Sequence, residues 1–411
     1  MARIVIVSGL QLVSNPRVVK EADALVAAGH EVTMISALLE PAMAEREAYF
    51  GNRGWRVVRA VNAKQDGADR IRWHWQRFRH RIAREVTRRC GLQLPAALGY
   101  SPREILGLCR NTDADLYIFH NAQGLWVGRE MEKRGCRVAF DFEDWYSRDL
   151  RPEDRRFLPI RLMEECEKSA LKPSNLCSTT SHAMAQALAK YGGGKAPGVI
   201  HNSFPWGDRK RLKGEVRDRR DRRVPSLHWF SQTIGPGRGL EVLAEALHQV
   251  SKVMEIHLRG TCRPTYREEL MARFPPQARG RLFFHPQVPE PELLGRIAEH
   301  DLCLASDLPD CPNRELTISN KILLYLLAGR PVLASRTSGH REVAVESPAG
   351  VLLYAPQDPG ELAGQIRPLL LERGRRERAG AENLAAAKRK YCWEVDQPRL
   401  IADVERALGA Q

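Results

Sequence analysis

Residues 4–35 read IVIVSGLQLVSNPRVVKEADALVAAGHEVTMI, and the fold class follows from this stretch. Ile4-Val5-Ile6-Val7 is a β-branched apolar run of the kind buried on both faces of a parallel sheet. Ser8 to Pro16 reads as a loop. From Pro16 onward Val19, Ala22, Leu25 and Val26 recur at helical spacing, and Gly29 stops that helix before a second apolar run from His30 to Ile35. Strand, helix and strand in so short a length predict a βαβ unit.

Outward from it the pattern repeats. Ala114 to Asn121 is a strand ending in two polar side chains, and a helix follows to about Lys133. Arg137 to Asp144 is a strand ending in acids, and Leu176 to Thr180 is another. A second α/β series has strands at Leu227–Ser231, Glu255–Gly260, Arg281–His285, Leu302–Ala305 and Pro331–Ala334, with an apolar helix from Asn320 to Gly329. Between the two series, Asp208 to Arg223 holds nine basic and four acidic residues with little to bury, the composition of a solvated hinge. The expected organisation is a first Rossmann-like domain over 1–200, a basic linker over 201–223, a second Rossmann-like domain over 224–381, and C-terminal helices over 382–411 with a pause at Gln397-Pro398. Two α/β halves of similar size predict a cleft between them as the substrate site.

The chain has 411 residues, 64 of them basic and 50 acidic, for a net charge of +14, and 43% are hydrophobic. That composition excludes a disordered chain and leaves enough length for two or three domains. Nine cysteines form no CxxC pair, which excludes a zinc ribbon or a compact disulfide framework and predicts reduced thiols. The N-terminal apolar run is too short for a signal peptide, and no run of 18 apolar residues occurs, so a cytoplasmic protein is expected. The positive excess suits an anionic membrane, a nucleic acid or a phosphorylated substrate.

Four places can carry chemistry. Gly235-Pro-Gly-Arg-Gly239 precedes a helix, where glycines admit an anion to backbone amides and Arg238 adds a charge-assisted bond; a tight turn is the plain alternative. Gly9 and the Ser14-Asn15 loop lie at the mouth of the first unit, and either polar side chain also suits a helix cap. His120 and Asn121 end one strand and Asp141, Glu143 and Asp144 end the next, where ligands bind in open parallel sheets. Paired acids would also suit a glycoside hydrolase, but no second pair stands out. Last, Ile71, Trp75, Phe78, Ile82 and Val86 form one helical stripe, and Arg70 to Arg89 includes eight arginines against one acid. The stripe fits either an anionic bilayer surface or packing on its own domain. No RNA-binding module accompanies it, so nucleic acid is disfavoured as a partner.

Taken in order, these segments resemble the GT-B glycosyltransferases, and within them the retaining family 4, group 1. The resemblance rests on Ser14-Asn-Pro-Arg-Val18 leading to Ala27-Ala-Gly-His-Glu-Val32, on Asp115 to His120, on Gly235 to Leu240, and on Ser319-Asn-Lys-Ile-Leu-Leu-Tyr325 running into Ala328-Gly-Arg-Pro-Val332. Trp393-Glu394 is similar to the family's tail, whose last helix crosses back to the first domain. The resemblance implies two Rossmann-like domains facing across a cleft. It implies transfer, with retention, from a nucleoside diphosphate sugar to a carbohydrate or lipid-linked acceptor, and the expected setting is envelope polysaccharide, lipopolysaccharide or glycolipid synthesis. The basic helix over 70–89 adds the expectation of a cytoplasmic protein peripheral on the inner face of the membrane. No metal or other cofactor is implied.

In that scheme His120 contacts the transferred sugar and Arg238 holds the diphosphate. Gly9, Gly237, Gly239, Glu315, Asn320 and Lys321 lie on the donor side, and Asn15, Asn121, Glu143 and Asp144 on the acceptor side. Two positions depart from the pattern. The glutamate that usually binds the donor ribose falls on Leu324, with Glu315 one residue away from the family's first glutamate, and Thr233 stands where an arginine is common. The alternatives are therefore a degenerate sugar-binding scaffold and a nucleotide-sugar epimerase of related fold.

Overall fold

The computed structural model describes residues 1–63 and 67–409. The chain divides into two compact units. Met1–Thr180, Met184–Ile200 and the residues from Gln397 onward form the first; Ser181–Ala183 and His201–Asp396 form the second.

In the first unit seven strands, β1 (Arg3–Ser8), β2 (Glu31–Leu38), β3 (Arg56–Asn62), β4 (Leu116–His120), β5 (Val138–Phe142), β6 (Leu176–Thr179) and β7 (Gly198–Val199), lie in the order β3-β2-β1-β4-β5-β6-β7. Every neighbouring pair is parallel. Ile4 and Ile6 pack with Leu25 of the helix Pro16–Ala27, with Met34 of β2 and with Ile118 of β4, so the apolar runs bury one continuous core. The order reverses between β1 and β4, where Ser8 lies opposite His120. Such a switch point leaves a crevice outside the carboxyl ends of the strands.

The second unit repeats the plan with six strands, β8 (Ser226–Ile234), β9 (Glu255–Cys262), β10 (Leu282–His285), β11 (Leu302–Ala305), β12 (Val332–Ser335) and β13 (Val351–Tyr354), in the order β10-β9-β8-β11-β12-β13. All pairs are parallel, and the switch point falls between β8 and β11. Both units are thus Rossmann-like. The helix Asn320–Ala328 ends at Gly329 in the left-handed region, as its sequence predicts. Three strands were not legible. β3 mixes two arginines into its apolar run, β7 is two residues long, and β13 follows a proline-containing turn.

Two segments differ from the sequence expectation. Residues 201–223 are not a solvated linker but part of the second unit. Phe204, Trp206 and Leu212 pack on its core, and Glu394 accepts the amides of Trp206 at 2.8 Å and Gly207 at 3.3 Å. Glu299 and Glu255 take the amides of Arg217, Asp218, Arg220 and Asp221. Composition hides this because the holding groups are acids from distant elements. The expected pause at Gln397-Pro398 is also absent: one helix spans Trp393–Gly409 with Pro398 inside it, and the break comes between Arg389 and Trp393. There Cys392 bridges Phe204. Within the C-terminal segment, residues 382–396 belong to the second unit, and Val404 packs in the core of the first.

Candidate functional site

At the first switch point, β1 ends in Ser8-Gly9, β4 in His120-Asn121, and β5 runs into Glu143. His120 is fully buried, and both ring nitrogens are engaged: Nε2 lies 2.7 Å from Glu21 and Nδ1 2.7 Å from Glu143. Burial alone would lower its pKa, but Glu21 and Glu143 raise it to about 10. His120 is therefore an imidazolium at neutral pH, clamped by two carboxylates. It does not extend a free nitrogen into the crevice, as its strand-end position alone suggests.

Arg17 completes the cluster. Its Nε donates to Asp141 at 2.8 Å and a terminal nitrogen donates to the carbonyl of Ile200 at 2.8 Å. Burial opposes the guanidinium charge, and Asp141 outweighs it, so the pKa of Arg17 is raised. Ligand atoms of Glu21, His120 and Asp141 lie within 4.8 Å of one another, a spacing that suits a cation. Arg17 and the doubly hydrogen-bonded His120 already supply that positive charge.

Asn15 donates to Glu143 at 2.8 Å instead of capping the helix Pro16–Ala27. Asn121 has φ +58°, unusual for a side chain larger than glycine. It is held there by its amide on the Tyr146 hydroxyl at 3.0 Å and by its side-chain oxygen, which accepts from Gly124 at 3.3 Å. Strain of this kind collects at functional sites. Gly9 has an internal reason to be glycine, since a Cβ there would lie 2.5 Å from Nε2 of Gln123. Asp144 is half-buried beside this cluster.

At the second switch point the loop Gly235–Gly239 joins β8 to the helix Leu240–Leu247. Gly237 and Gly239 have φ +70° and +74°, and a Cβ on Gly239 would lie 2.5 Å from the carbonyl oxygen of Ser306. The Ser306 hydroxyl donates to the Arg238 carbonyl at 2.6 Å and accepts from the Trp229 indole at 3.1 Å. This fixes the loop backbone while the Arg238 side chain stays exposed, with no partner among the described residues.

Beside the loop, Lys321 donates to Asp307 at 2.9 Å, and His340 lies 3.5 Å from the other oxygen. Burial opposes ionisation of Asp307, yet Lys321 and His340 hold its carboxyl well below the usual range. Glu315 accepts from the amide and hydroxyl of Ser338 at 2.9 and 2.6 Å, and exposed Asn320 accepts from Asn202 at 3.0 Å. Leu324 is buried in the core.

The structure thus gathers His120, Asn121, Asn15, Glu143 and Gly9 at one switch point, and Arg238, Gly237, Gly239 and Lys321 at the other. Sequence reasoning missed Glu21, Arg17 as a site residue, Ser306 and Asp307. Arg17 and Glu21 carried a signal: opposite charges four apart on the face that also bears Val18, Ala22 and Leu25. Asp307 carried the one already used for His120, a polar residue just past a buried strand.

Two family models match the chain. Residues 14–203 match the glycosyl transferase 4-like domain, and residues 226–372 match the glycosyl transferases group 1 domain. No curated protein matches the sequence. Among solved structures, sucrose-phosphate synthase from Thermosynechococcus elongatus is 15% identical over 100% of both chains, with a TM-score of 0.70. A glycosyltransferase from Rickettsia africae is 12% identical over 100% of this chain and 99% of its own, with a TM-score of 0.67. Anabaena HepE in complex with UDP is 15% identical over 99% of this chain and 100% of its own, with a TM-score of 0.67. At these identities the structural likeness speaks to the fold, which is GT-B. The two matched domains, taken in order along most of the chain, establish that the chain belongs to the group 1 glycosyltransferases.

Proposed function

We propose that this glycosyltransferase moves a sugar, with retention of anomeric configuration, from a nucleoside diphosphate sugar to a hydroxyl of a carbohydrate or lipid-linked acceptor in envelope polysaccharide, lipopolysaccharide or glycolipid assembly. The observation that carries the reading is Arg238, an unpartnered guanidinium on a backbone-fixed glycine loop at a switch point and at a helix N-terminus. As the anomeric bond breaks, charge develops on the diphosphate. The loop amides and Arg238 are placed to stabilise it, with Lys321 close by. HepE, of the same fold, is described with UDP, which suits a uridine nucleotide as the first donor to try. In the first unit the clamped His120 orders Glu143 and Asn15, which present polar atoms to an acceptor or to the transferred sugar. The departing phosphate can itself take the acceptor proton, so no carboxylate is needed as a covalent nucleophile.

The test is calorimetric binding of UDP, GDP, ADP and dTDP and their sugars, followed by Arg238→Ala. Loss of a charged hydrogen bond is worth about 1.5–3 kcal/mol, so affinity for the diphosphate should fall roughly tenfold to a hundredfold with the fold intact. Unchanged affinity would remove Arg238 from the site.

A second reading, a degenerate sugar-binding scaffold, is favoured by Leu324, which is buried and offers no acceptor to a ribose hydroxyl. A folded sample that binds none of these nucleotides supports the scaffold. Conversion of a nucleotide sugar to another without an acceptor would instead indicate an epimerase.

A further inference from the structure

The helix Ala68–Cys90 has apolar residues on two faces, and only one of them is used. Trp73, Gln76, Ala83 and Thr87 point inward; Trp73 is 8% exposed, clusters with Ala37 and Val61, and meets Tyr100 edge to face at 5.1 Å. The other face bears the stripe read from the sequence. Ile71, Trp75, Phe78 and Ile82 are 73%, 60%, 54% and 46% exposed, so the stripe is not the packing face of the domain. At 1.5 Å per residue it runs about 16 Å along the helix.

Arginines border the stripe. Arg70 and Arg81 are exposed and have no partner among the described residues. Beside Phe78 opens a cavity of about 760 Å³ lined by His74, Arg77, Arg81, Arg84 and Phe157, with Glu85 the one acid among the described residues that line it. Arg84, Arg88 and Arg156 stand over the Phe157 ring at 5.5, 5.7 and 5.0 Å. No helix among the described residues is long and apolar enough to cross a membrane.

We propose that the Ile71–Ile82 face lies on the surface of an anionic bilayer, with the rings and isoleucines at the acyl boundary and the arginines among the lipid phosphates. A contiguous exposed apolar stripe marks an interaction surface, and a basic rim beside it selects an anionic one. A second copy of this chain would set arginine against arginine. A nucleic acid would satisfy the arginines and leave Ile71 and Ile82 without a counterpart. The proposal stands independently of the donor reading, since every residue in it lies in the first unit.

The experiment is sedimentation of the full chain with vesicles of phosphatidylcholine alone and of phosphatidylcholine mixed with phosphatidylglycerol. Binding is expected only to the mixed vesicles, with release at high salt. Trp75→Glu with Phe78→Glu changes two exposed positions, so the fold should survive. It should reduce partitioning at least about tenfold, and nucleotide binding should be unchanged. Arg70→Gln with Arg81→Gln should weaken binding and flatten its salt dependence. Equal binding to neutral vesicles, or no loss in either double variant, overturns the proposal. So does an oligomer in lipid-free solution that Trp75→Glu with Phe78→Glu dissolves, or salt-sensitive binding to duplex DNA without binding to vesicles.

Discussion

His120 shows how far one residue's chemistry depends on its neighbours. Its place at a strand end is readable, but its charge is set by Glu21 and Glu143, two residues that are 99 and 23 positions away. Glu21→Gln should bring the imidazole pKa down from about 10 toward the ordinary 6.5, as followed by NMR titration. A pKa that stays put would exclude Glu21 as the cause. Because the folded pKa lies above the unfolded value, this histidine's contribution to stability is complete below about pH 6.5 and is lost as pH rises through about 10. Arg17→Met tests the neighbouring pair: buried Asp141 would lose its guanidinium partner and keep only the His120 imidazolium 4.0 Å away, at a cost of about 3 kcal/mol in denaturant unfolding. Gly239→Ala should open the Gly235–Gly239 loop, since the new methyl meets the Ser306 carbonyl and the backbone sits at φ +74°. Its expected outcome is lost nucleotide affinity together with a lowered melting temperature in a chain that still folds, and retained affinity would show that the loop backbone does not hold the donor.

At the scale of the element, three neighbouring strands and one turn of the second unit carry a stack of histidines. His228 of β8 stacks on His300 at 4.9 Å, His300 meets His257 of β9 at 4.5 Å, and His257 stacks on His285 of β10 at 5.2 Å. Burial lowers all four: His257 to about 4, His228 and His300 well below the ordinary value, and His285 in the same direction. Here the folded pKa lies below the unfolded one, so the sign is opposite to that of His120. Below about pH 6.5 the unfolded chain takes up protons that the folded one refuses, and stability falls toward pH 4. The slope reaches about 1.4 kcal/mol per pH unit for each such histidine. Denaturant melts across that range, repeated on His257→Phe, check this: the variant should show a shallower acid loss. The elements themselves were well marked in the sequence wherever an apolar run met a glycine, as at Gly29 and Gly329. β3 was not, because Arg56 and Arg59 interrupt its run, and Arg59 finds Glu47 and Ser36 only in the fold.

Across the whole molecule the chain visits the first unit, then the second, and returns. Val404 lies in the same apolar cluster as Ile4, Ile6 and Leu116, although some 290 to 400 residues separate them in sequence. Val404→Ala should destabilise the first unit by about 2 kcal/mol. Hydrogen exchange should then speed up in β1 and β4 and stay unchanged in β8 and β9; acceleration in both sheets would mean that the two units unfold as one. The sequence by itself determined the alternation of strand and helix, the two parallel sheets and the glycine loops at the ends of their strands. These depend on contacts within a few residues and on the burial of short apolar runs. Only the tertiary structure decided that 201–223 is packed rather than free, that the Ile71–Ile82 stripe faces outward, and that Glu21 and Arg17 complete the cluster around His120. Those outcomes rest on charges and rings brought together from distant segments, and periodicity along a chain carries no record of which distant partner a side chain will meet.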